Sequence, residues 1–228
     1  MRRYISELIG SFIFILIGCG SRVFGGNQVG VLAEAIAFGF TFIAMVYAIG
    51  NISGGHINPA VSLAMYMTNK LSLRDFFYYI LSQFIGGILA IAILVSMINL
   101  SGEIETVKQI GLAQNGYAEA SSIGISFLGA LLIEFILTFV YIIATLGVLA
   151  YDKTSHLGGI VIGFTLIGIY IIDIPLTGGG INPARSLAPA VFLVGTALRQ
   201  VWLFIIAPFA GAAGASVFWN FITKELTL

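Results

Sequence analysis

Long apolar runs alternate with short polar connections along the chain. Six runs are long enough to cross the hydrocarbon core of a bilayer, which takes about 20 apolar residues in a helix. They cover approximately residues 4–23, 29–49, 76–100, 123–150, 157–174 and 198–222. This pattern predicts an all-α membrane protein with six transmembrane helices.

Two further apolar segments, residues 57–67 and 181–193, are shorter. At a rise of about 1.5 Å per residue, each covers only about half of the hydrocarbon core. A helix that ends inside the membrane needs protein or a water-filled cavity to satisfy its end. We therefore predict two re-entrant half-helices that lie inside the bundle.

The second half of the chain repeats the first at an offset of 124 residues. At that offset Gly54–Ala64 aligns with Gly178–Ala188, and Gly39–Thr41 aligns with Gly163–Thr165. Each half contains three spans and one half-helix, and an odd number of spans forces the two halves into opposite orientations. We predict one domain, residues 1–228. It consists of inverted repeats at approximately 1–100 and 122–228, joined by an extracellular loop, 101–121.

The composition supports a membrane location. Hydrophobic residues make up 59% of the chain and charged residues 9%, against about 45–50% and about 25% in soluble domains. Ten basic residues balance ten acidic ones, so the charge gives no reason to expect a nucleic-acid partner. The single cysteine, Cys19, excludes a disulfide framework.

The basic residues predict the orientation. With the N-terminus in the cytoplasm, six basic residues lie inside and three outside, which agrees with the positive-inside rule. The six are Arg2, Arg3, Lys70, Arg74, Lys153 and Lys224. We therefore expect a multi-pass protein of the cell membrane (plasma or bacterial inner membrane) with both termini in the cytoplasm.

The motif Asn-Pro-Ala occurs twice, at Asn58-Pro59-Ala60 and Asn182-Pro183-Ala184, each time at the start of a half-helix. Asparagine suits the N-cap and proline the first helical position. If the half-helices enter from opposite faces, their positive N-termini meet in the membrane and repel cations. The amides of Asn58 and Asn182 can then donate to a passing oxygen. This arrangement favours a passive channel for small neutral hydroxylic molecules.

Both motif loops resemble the signature loops of the major intrinsic proteins, the aquaporin superfamily. The resemblance extends over the whole chain in span count, half-helix positions, internal repeat and length, and is closest to bacterial or archaeal water channels. It implies a bundle of six tilted helices and two half-helices. It also implies a homotetramer with one pore in each subunit.

The resemblance also assigns a selectivity filter. In the family an arginine that follows the second motif belongs to a narrow filter, which corresponds here to Phe38, Tyr170, Gly179 and Arg185. Arg185 would donate to the permeant and repel cations. Water-specific members have His in place of Tyr170 and Thr or Cys in place of Gly179. Strict water specificity is therefore open.

Two acidic residues occupy equivalent places in the first and fourth spans, Glu7 and Glu134. In the family the matching glutamates accept N–H groups of the signature loops and so brace them. A proton-relay role for these carboxylates would instead indicate a coupled transporter. Because no chain of ionisable residues continues from them, bracing is the interpretation that we favour.

Three functions follow from these observations. The first is a passive water channel that excludes protons and ions. The second is an aquaglyceroporin-like channel for glycerol or other small neutral solutes, and the third is an ion-coupled secondary transporter, which shares inverted repeats. The predicted spans carry no catalytic set, metal-ligand cluster or phosphate-binding loop, so we expect neither an enzyme nor a metal or cofactor. The expected partners are water, small solutes, lipid and identical subunits.

Overall fold

The computed structural model describes residues 1–100 and 107–224. Within them six helices are long and apolar enough to span a membrane: Arg2–Gly26, Gln28–Ser53, Leu73–Leu100, Phe127–Leu149, Gly158–Thr177 and Gly195–Thr223. Two shorter helices, Pro59–Met67 and Pro183–Leu193, are the first and second half-helices. The predicted all-α architecture of six spans and two half-helices is confirmed.

Glycines separate the first two spans. The chain is helical from Arg2 to Ser53 except at Gly26 (φ 50°) and Gly30 (φ 68°), whose dihedral angles are not helical. Positive φ is open to glycine at little cost. The sixth span also has a break, since it consists of the helices Gly195–Gln200 and Leu203–Thr223.

The connection between the two halves contains two short helices in its described part. Val107–Ile110 is one helical turn and Ala118–Ala120 is a 3₁₀ turn. The fourth span begins at Phe127, later than predicted, because Ser126 is its N-cap and accepts from the Gly129 N–H at 3.1 Å. Residues 101–106 of the predicted loop lie outside the described residues.

The two halves meet where the second and fifth spans cross. Gly39 and Gly163, which are equivalent in the repeat, face each other at this crossing. A Cβ on Gly39 would lie 2.8 Å from the Gly163 carbonyl oxygen, and one on Gly163 would lie 3.0 Å from the Gly39 carbonyl oxygen. Only residues without a side chain allow this approach. The contact is therefore reciprocal between the two equivalent glycines.

Each half-helix packs against a span of the other half. The third span contacts the second half-helix, and the sixth span contacts the first. The approach is close, since a Cβ on Gly87 would lie 3.1 Å from the Ala184 carbonyl oxygen. The two halves therefore interlock around the half-helix N-termini.

Large apolar side chains lie on the outside of the molecule as well as in its core. Leu132, Phe164 and Phe221 are 59%, 57% and 76% exposed, whereas Glu134 and Arg185 are fully buried. Apolar side chains on the outside are solvated by lipid. Charged side chains at membrane depth are expected to face protein or water.

Candidate functional site

Each motif asparagine caps its half-helix. Asn58 Oδ1 accepts from the Ala60 N–H at 2.8 Å, and Asn182 Oδ1 accepts from the N–H groups of Ala184 and Arg185 at 3.0 and 3.3 Å. Pro59 and Pro183 are the first helical residues. The local structure predicted for the two motifs is thus observed.

The same two asparagines join the motif loops to each other. Asn58 Nδ2 donates to the Ile181 carbonyl and Asn182 Nδ2 donates to the Ile57 carbonyl, both at 3.0 Å. An amide nitrogen carries two hydrogens. One hydrogen of each amide therefore fixes the opposite loop, and the second can donate to a permeant.

Ile57 and Ile181 have an unusual backbone conformation. Their φ angles are 56° and 47°, a region that is unfavourable for β-branched residues and costs about 1–3 kcal/mol. Both backbone groups of each isoleucine are held. The carbonyls accept from the asparagines, and the N–H groups donate to Glu7 and Glu134 at 2.7 Å. These bonds keep both strained residues in place.

Glu7 lies behind the first loop, which we define as residues 54–60. It accepts four hydrogen bonds. Oε1 accepts from the Ser53 hydroxyl (2.7 Å) and the His56 N–H (2.9 Å), and Oε2 accepts from the Ile57 N–H (2.7 Å) and Gln83 Nε2 (2.8 Å). The buried carboxylate is therefore fully provided with donors.

Glu134 lies behind the second loop, residues 178–184, and has fewer donors. Its oxygens accept from the Thr177 hydroxyl and the Ile181 N–H, both at 2.7 Å. The Thr177 hydroxyl oxygen also lies 2.8 Å from Oδ1 of Asp173, a second buried carboxyl group. Because a hydroxyl has one hydrogen, it can donate to only one of the two carboxyl groups, and the other must donate to it.

The four residues assigned to the filter come from different segments and meet at one place. The rings of Phe38 and Tyr170 have centroids 4.7 Å apart, and the Arg185 guanidinium carbon lies 5.4 Å from the Phe38 centroid. A Cβ on Gly179 would lie 3.0 Å from Tyr170 Cδ1. Tyr170 therefore packs directly against the surface that the glycine leaves open.

Arg185 is fixed by two acceptors. Nη1 donates to Asn115 Oδ1 at 2.9 Å and Nη2 donates to the Gly178 carbonyl at 2.8 Å. Arg185 Nε and the Tyr170 hydroxyl are buried and have no hydrogen-bond partner within residues 1–100 and 107–224. Both polar atoms are therefore buried at the place where the four residues meet.

Two cavities adjoin the loops of the site. One of about 310 Å³ includes Gly54, Gly55 and His56 among its lining residues, and we call its position the His56 side. The other, of about 280 Å³, includes Glu34 and Gly178, and we call its position the Arg185 side. The first cavity is thus lined by part of the first loop, and the second by the start of the second loop.

Three residues of the site were not found by sequence analysis. Asn115 is followed by a glycine in a polar connection, a pattern that predicts only a turn. Gln83 and Asp173 lie inside apolar spans, and a carboxyl group in a span is itself a signal that could have identified Asp173. Which loop each side chain contacts depends on tertiary packing.

Two half-helix N-termini that meet inside a six-span bundle, next to a buried arginine, define a channel of the aquaporin type. The sequence profile of the Major intrinsic protein family matches residues 1–219, and the chain belongs to that family.

Two relatives are similar over most of the chain. Aquaporin Z of Brucella melitensis biotype 1 is 41% identical over 219 residues, which covers 94% of this chain and 95% of the relative. Aquaporin Z of Photorhabdus laumondii subsp. laumondii is 37% identical over 216 residues, covering 92% and 93%.

A solved structure has the same fold. The aquaglyceroporin from Plasmodium falciparum superposes with a TM-score of 0.82, covering 99% of this chain and 97% of the other. The two sequences are 20% identical, so this likeness concerns the fold alone.

Proposed function

We propose that the protein is a passive water channel that excludes protons and ions. The observation that carries this proposal is that Tyr170 packs against both Gly179 and Phe38, while the Arg185 guanidinium lies over the Phe38 ring. The glycine removes a side chain from the wall and the tyrosine ring occupies that space. A narrow constriction of this kind favours water over larger solutes. The Aquaporin Z relatives support the same function.

The site residues then have distinct roles. Phe38, Tyr170, Gly179 and Arg185 form the selectivity filter, and the two Asn-Pro-Ala motifs form the central constriction. The free amide hydrogens of Asn58 and Asn182 donate to a water oxygen, so its hydrogens point away from the centre in both directions. The half-helix N-termini and Arg185 oppose any cation on the path. Glu7 and Glu134 brace the loops.

Stopped-flow light scattering on proteoliposomes tests water conduction, and a trapped pH dye tests proton exclusion. We expect shrinkage clearly faster than in empty liposomes, without accelerated proton entry. Arg185→Val should admit protons or small cations, whereas Arg199→Val, which removes an exposed arginine, should not. Folded protein that shrinks no faster than empty liposomes would refute water conduction. Proton entry through the unmodified pore would refute proton exclusion.

A second candidate is a channel for small neutral solutes. Two aromatic rings, Phe38 and Tyr170, can contact the carbon skeleton of a polyol or amide while Arg185 binds its polar edge. In this case Tyr170→His with Gly179→Thr should reduce glycerol and urea flux far more than water flux. Because Gly179 has a φ of 80°, threonine is strained there, and Tyr170→His alone should be compared. Exclusion of glycerol, urea and ammonia by the unmodified protein eliminates this candidate.

We further propose a homotetramer in the cell membrane with one pore per subunit and both termini in the cytoplasm. The orientation can be tested by cysteine labelling, because the native Cys19 is fully buried. Lys108→Cys should react with an impermeant maleimide on intact cells, and Lys153→Cys only after lysis. The opposite result would reverse the orientation. The tetramer is tested by mass measurement of the purified protein.

A further inference from the structure

Asp173 is a second buried carboxyl group beside Glu134. Its side chain is fully buried on the fifth span, and Oδ2 has no hydrogen-bond partner among residues 1–100 and 107–224. Its Oδ1 lies 2.8 Å from the Thr177 hydroxyl oxygen, which in turn lies 2.7 Å from Glu134 Oε1. One hydroxyl group thus joins two buried carboxyl groups.

The number of hydrogens shows what these three side chains require. The Thr177 hydroxyl has one hydrogen and can donate it to only one carboxylate. If Glu134 and Asp173 were both ionised, one of them would face a hydroxyl oxygen with no hydrogen between the two atoms. Two negative charges would also lie close together in a buried place, which is unfavourable. One proton on either carboxyl group completes both hydrogen bonds and removes one charge.

Thr177 connects these carboxyl groups to the arginine of the filter. Its carbonyl accepts from Asn115 Nδ2 at 3.2 Å and from the Gly116 N–H at 2.9 Å, and Gly178 is the next residue in the chain. The two acceptors of the Arg185 guanidinium are Asn115 Oδ1 and the Gly178 carbonyl. Each residue that fixes Arg185 is therefore bonded to Thr177, one by a hydrogen bond and one by the chain.

We propose that Glu134 and Asp173 share one proton through Thr177 at neutral pH, and that Asp173 is thereby a positioning residue for Arg185. With the proton bound, both carboxyl groups are joined to Thr177 and the pair carries one negative charge beside the arginine. Release of the proton to alkaline buffer leaves two carboxylates and a single hydroxyl hydrogen. Thr177 then loses one of its two bonds, the carboxylates repel each other, and Arg185 loses its fixed position.

Two other titratable side chains face the pair. Arg185, on the second half-helix, interacts electrostatically with both carboxyl groups, and Tyr170, on the fifth span, interacts with Asp173. A change of pH alone would act on these groups as well. The test therefore compares proteins that differ only in the pair.

Infrared spectroscopy of the protein in liposomes at neutral pH tests the shared proton, because a carboxylic acid has a carbonyl stretch that a carboxylate lacks. All samples carry Glu34→Gln, since Glu34 is another buried carboxyl group. The parent protein should show an acid band. Asp173→Asn and Glu134→Gln each supply an amide donor to Thr177, so either change should abolish the band. Glu119→Gln, at an exposed position, should leave it.

Water permeability in neutral and alkaline buffer, equal on both sides of the liposome, tests the positioning of Arg185. The unmodified protein should lose permeability toward the value of empty liposomes, because a guanidinium freed from its acceptors obstructs the constriction. In Asp173→Asn the amide donates to Thr177 at any pH, so the ratio of alkaline to neutral permeability should stay close to one. If Asp173→Asn does not fold, Glu134→Gln takes its place.

The inference rests on the proposed channel function only in this second measurement. An acid band in a protein that conducts no water supports the shared proton, and only the channel function fails. Water conduction without an acid band overturns the shared proton and leaves the channel function unaffected. A band that survives both pair variants also overturns the shared proton. Equal pH profiles of the unmodified and variant proteins overturn the positioning of Arg185.

Discussion

The two motif loops have the same backbone arrangement but different chemical surroundings. Behind the first loop a single carboxylate, Glu7, accepts four hydrogen bonds from neutral donors. Behind the second loop Glu134 accepts two, and a second carboxyl group, Asp173, shares the Thr177 hydroxyl with it. The second loop also leads directly to the buried cation Arg185.

The sequence explains this difference position by position. Thr177 occupies the place of Ser53, so a hydroxyl is kept. Gly180 occupies the place of His56, and a Cβ there would overlap the Glu134 carboxyl group. Gln83, which donates to Glu7, has no counterpart in the second half. Phe84 and Phe209 are equivalent in the repeat, so the position that corresponds to Gln83 is Pro208. The repeat has therefore kept the geometry of the loops while their electrostatics diverged, and the charged residues are concentrated at the second loop.

The largest expected effect on stability comes from removing the two buried glutamates behind the loops. Glu7→Ala leaves the N–H groups of His56 and Ile57 unpaired, at about 1–3 kcal/mol each, whereas Glu134→Ala leaves one loop N–H unpaired, that of Ile181. Glu7→Ala should therefore lower the free energy of unfolding more, as measured by SDS titration of the purified protein. Normal stability of both variants with selective loss of water flux would argue for a role in the pore.

The next largest effect on stability is expected at Gly180, which lies close to the Glu134 carboxylate. Gly180→Ala places a methyl group against Glu134 and should cost about 1–3 kcal/mol through overpacking. The equivalent change in the first loop, His56→Ala, removes the contact between Nδ1 and the Ser62 hydroxyl at 3.1 Å. That change should cost about 1 kcal/mol. Melting temperatures of both variants test the order, and a reversed order would show that the His56 ring is the stronger constraint.

A smaller effect is expected for Gln83→Leu. The change removes donors to Glu7 and to the Ser62 hydroxyl, but it also removes Gln83 Oε1, a buried acceptor without a partner in the described residues. The loss of the donors and the removal of the unpaired acceptor partly offset each other. We therefore expect the free energy of unfolding to fall by about 1 kcal/mol. Water permeability should change little. A loss as large as that of Glu7→Ala would mean that Gln83 is the main support of Glu7.

The smallest effect should come from Asp173→Asn. The asparagine amide can donate to Thr177, which then donates to Glu134, so the stability should stay within about 1 kcal/mol of the unmodified protein, the size of one neutral hydrogen bond. SDS titration measures it, with Asp173→Leu as the variant that cannot donate. A large loss of stability in Asp173→Asn would show that the negative charge of Asp173 is needed beside Arg185.

Much of the fold was predictable because a bilayer constrains the sequence so strongly. The apolar runs located every span, with limits that differ from the structure by a few residues. Pro175 did not end the fifth span, which continues to Thr177. The motifs located both helix caps, because Asn at the N-cap and Pro at the first position are local signals. The filter assignment depended on the family resemblance and stays a prediction, although the structure brings its four residues together.

The sequence by itself determined the elements: which segments span, where the half-helices start, and that the two halves repeat. These properties depend on periodicity, length and capping, which act between residues close in the chain. Only the tertiary structure decided the contacts, such as Asn115 with Arg185, Gln83 with Glu7, and Glu34 at the cavity. Buried polar groups must find partners wherever the fold brings donors and acceptors together, and residues far apart in the sequence supply them.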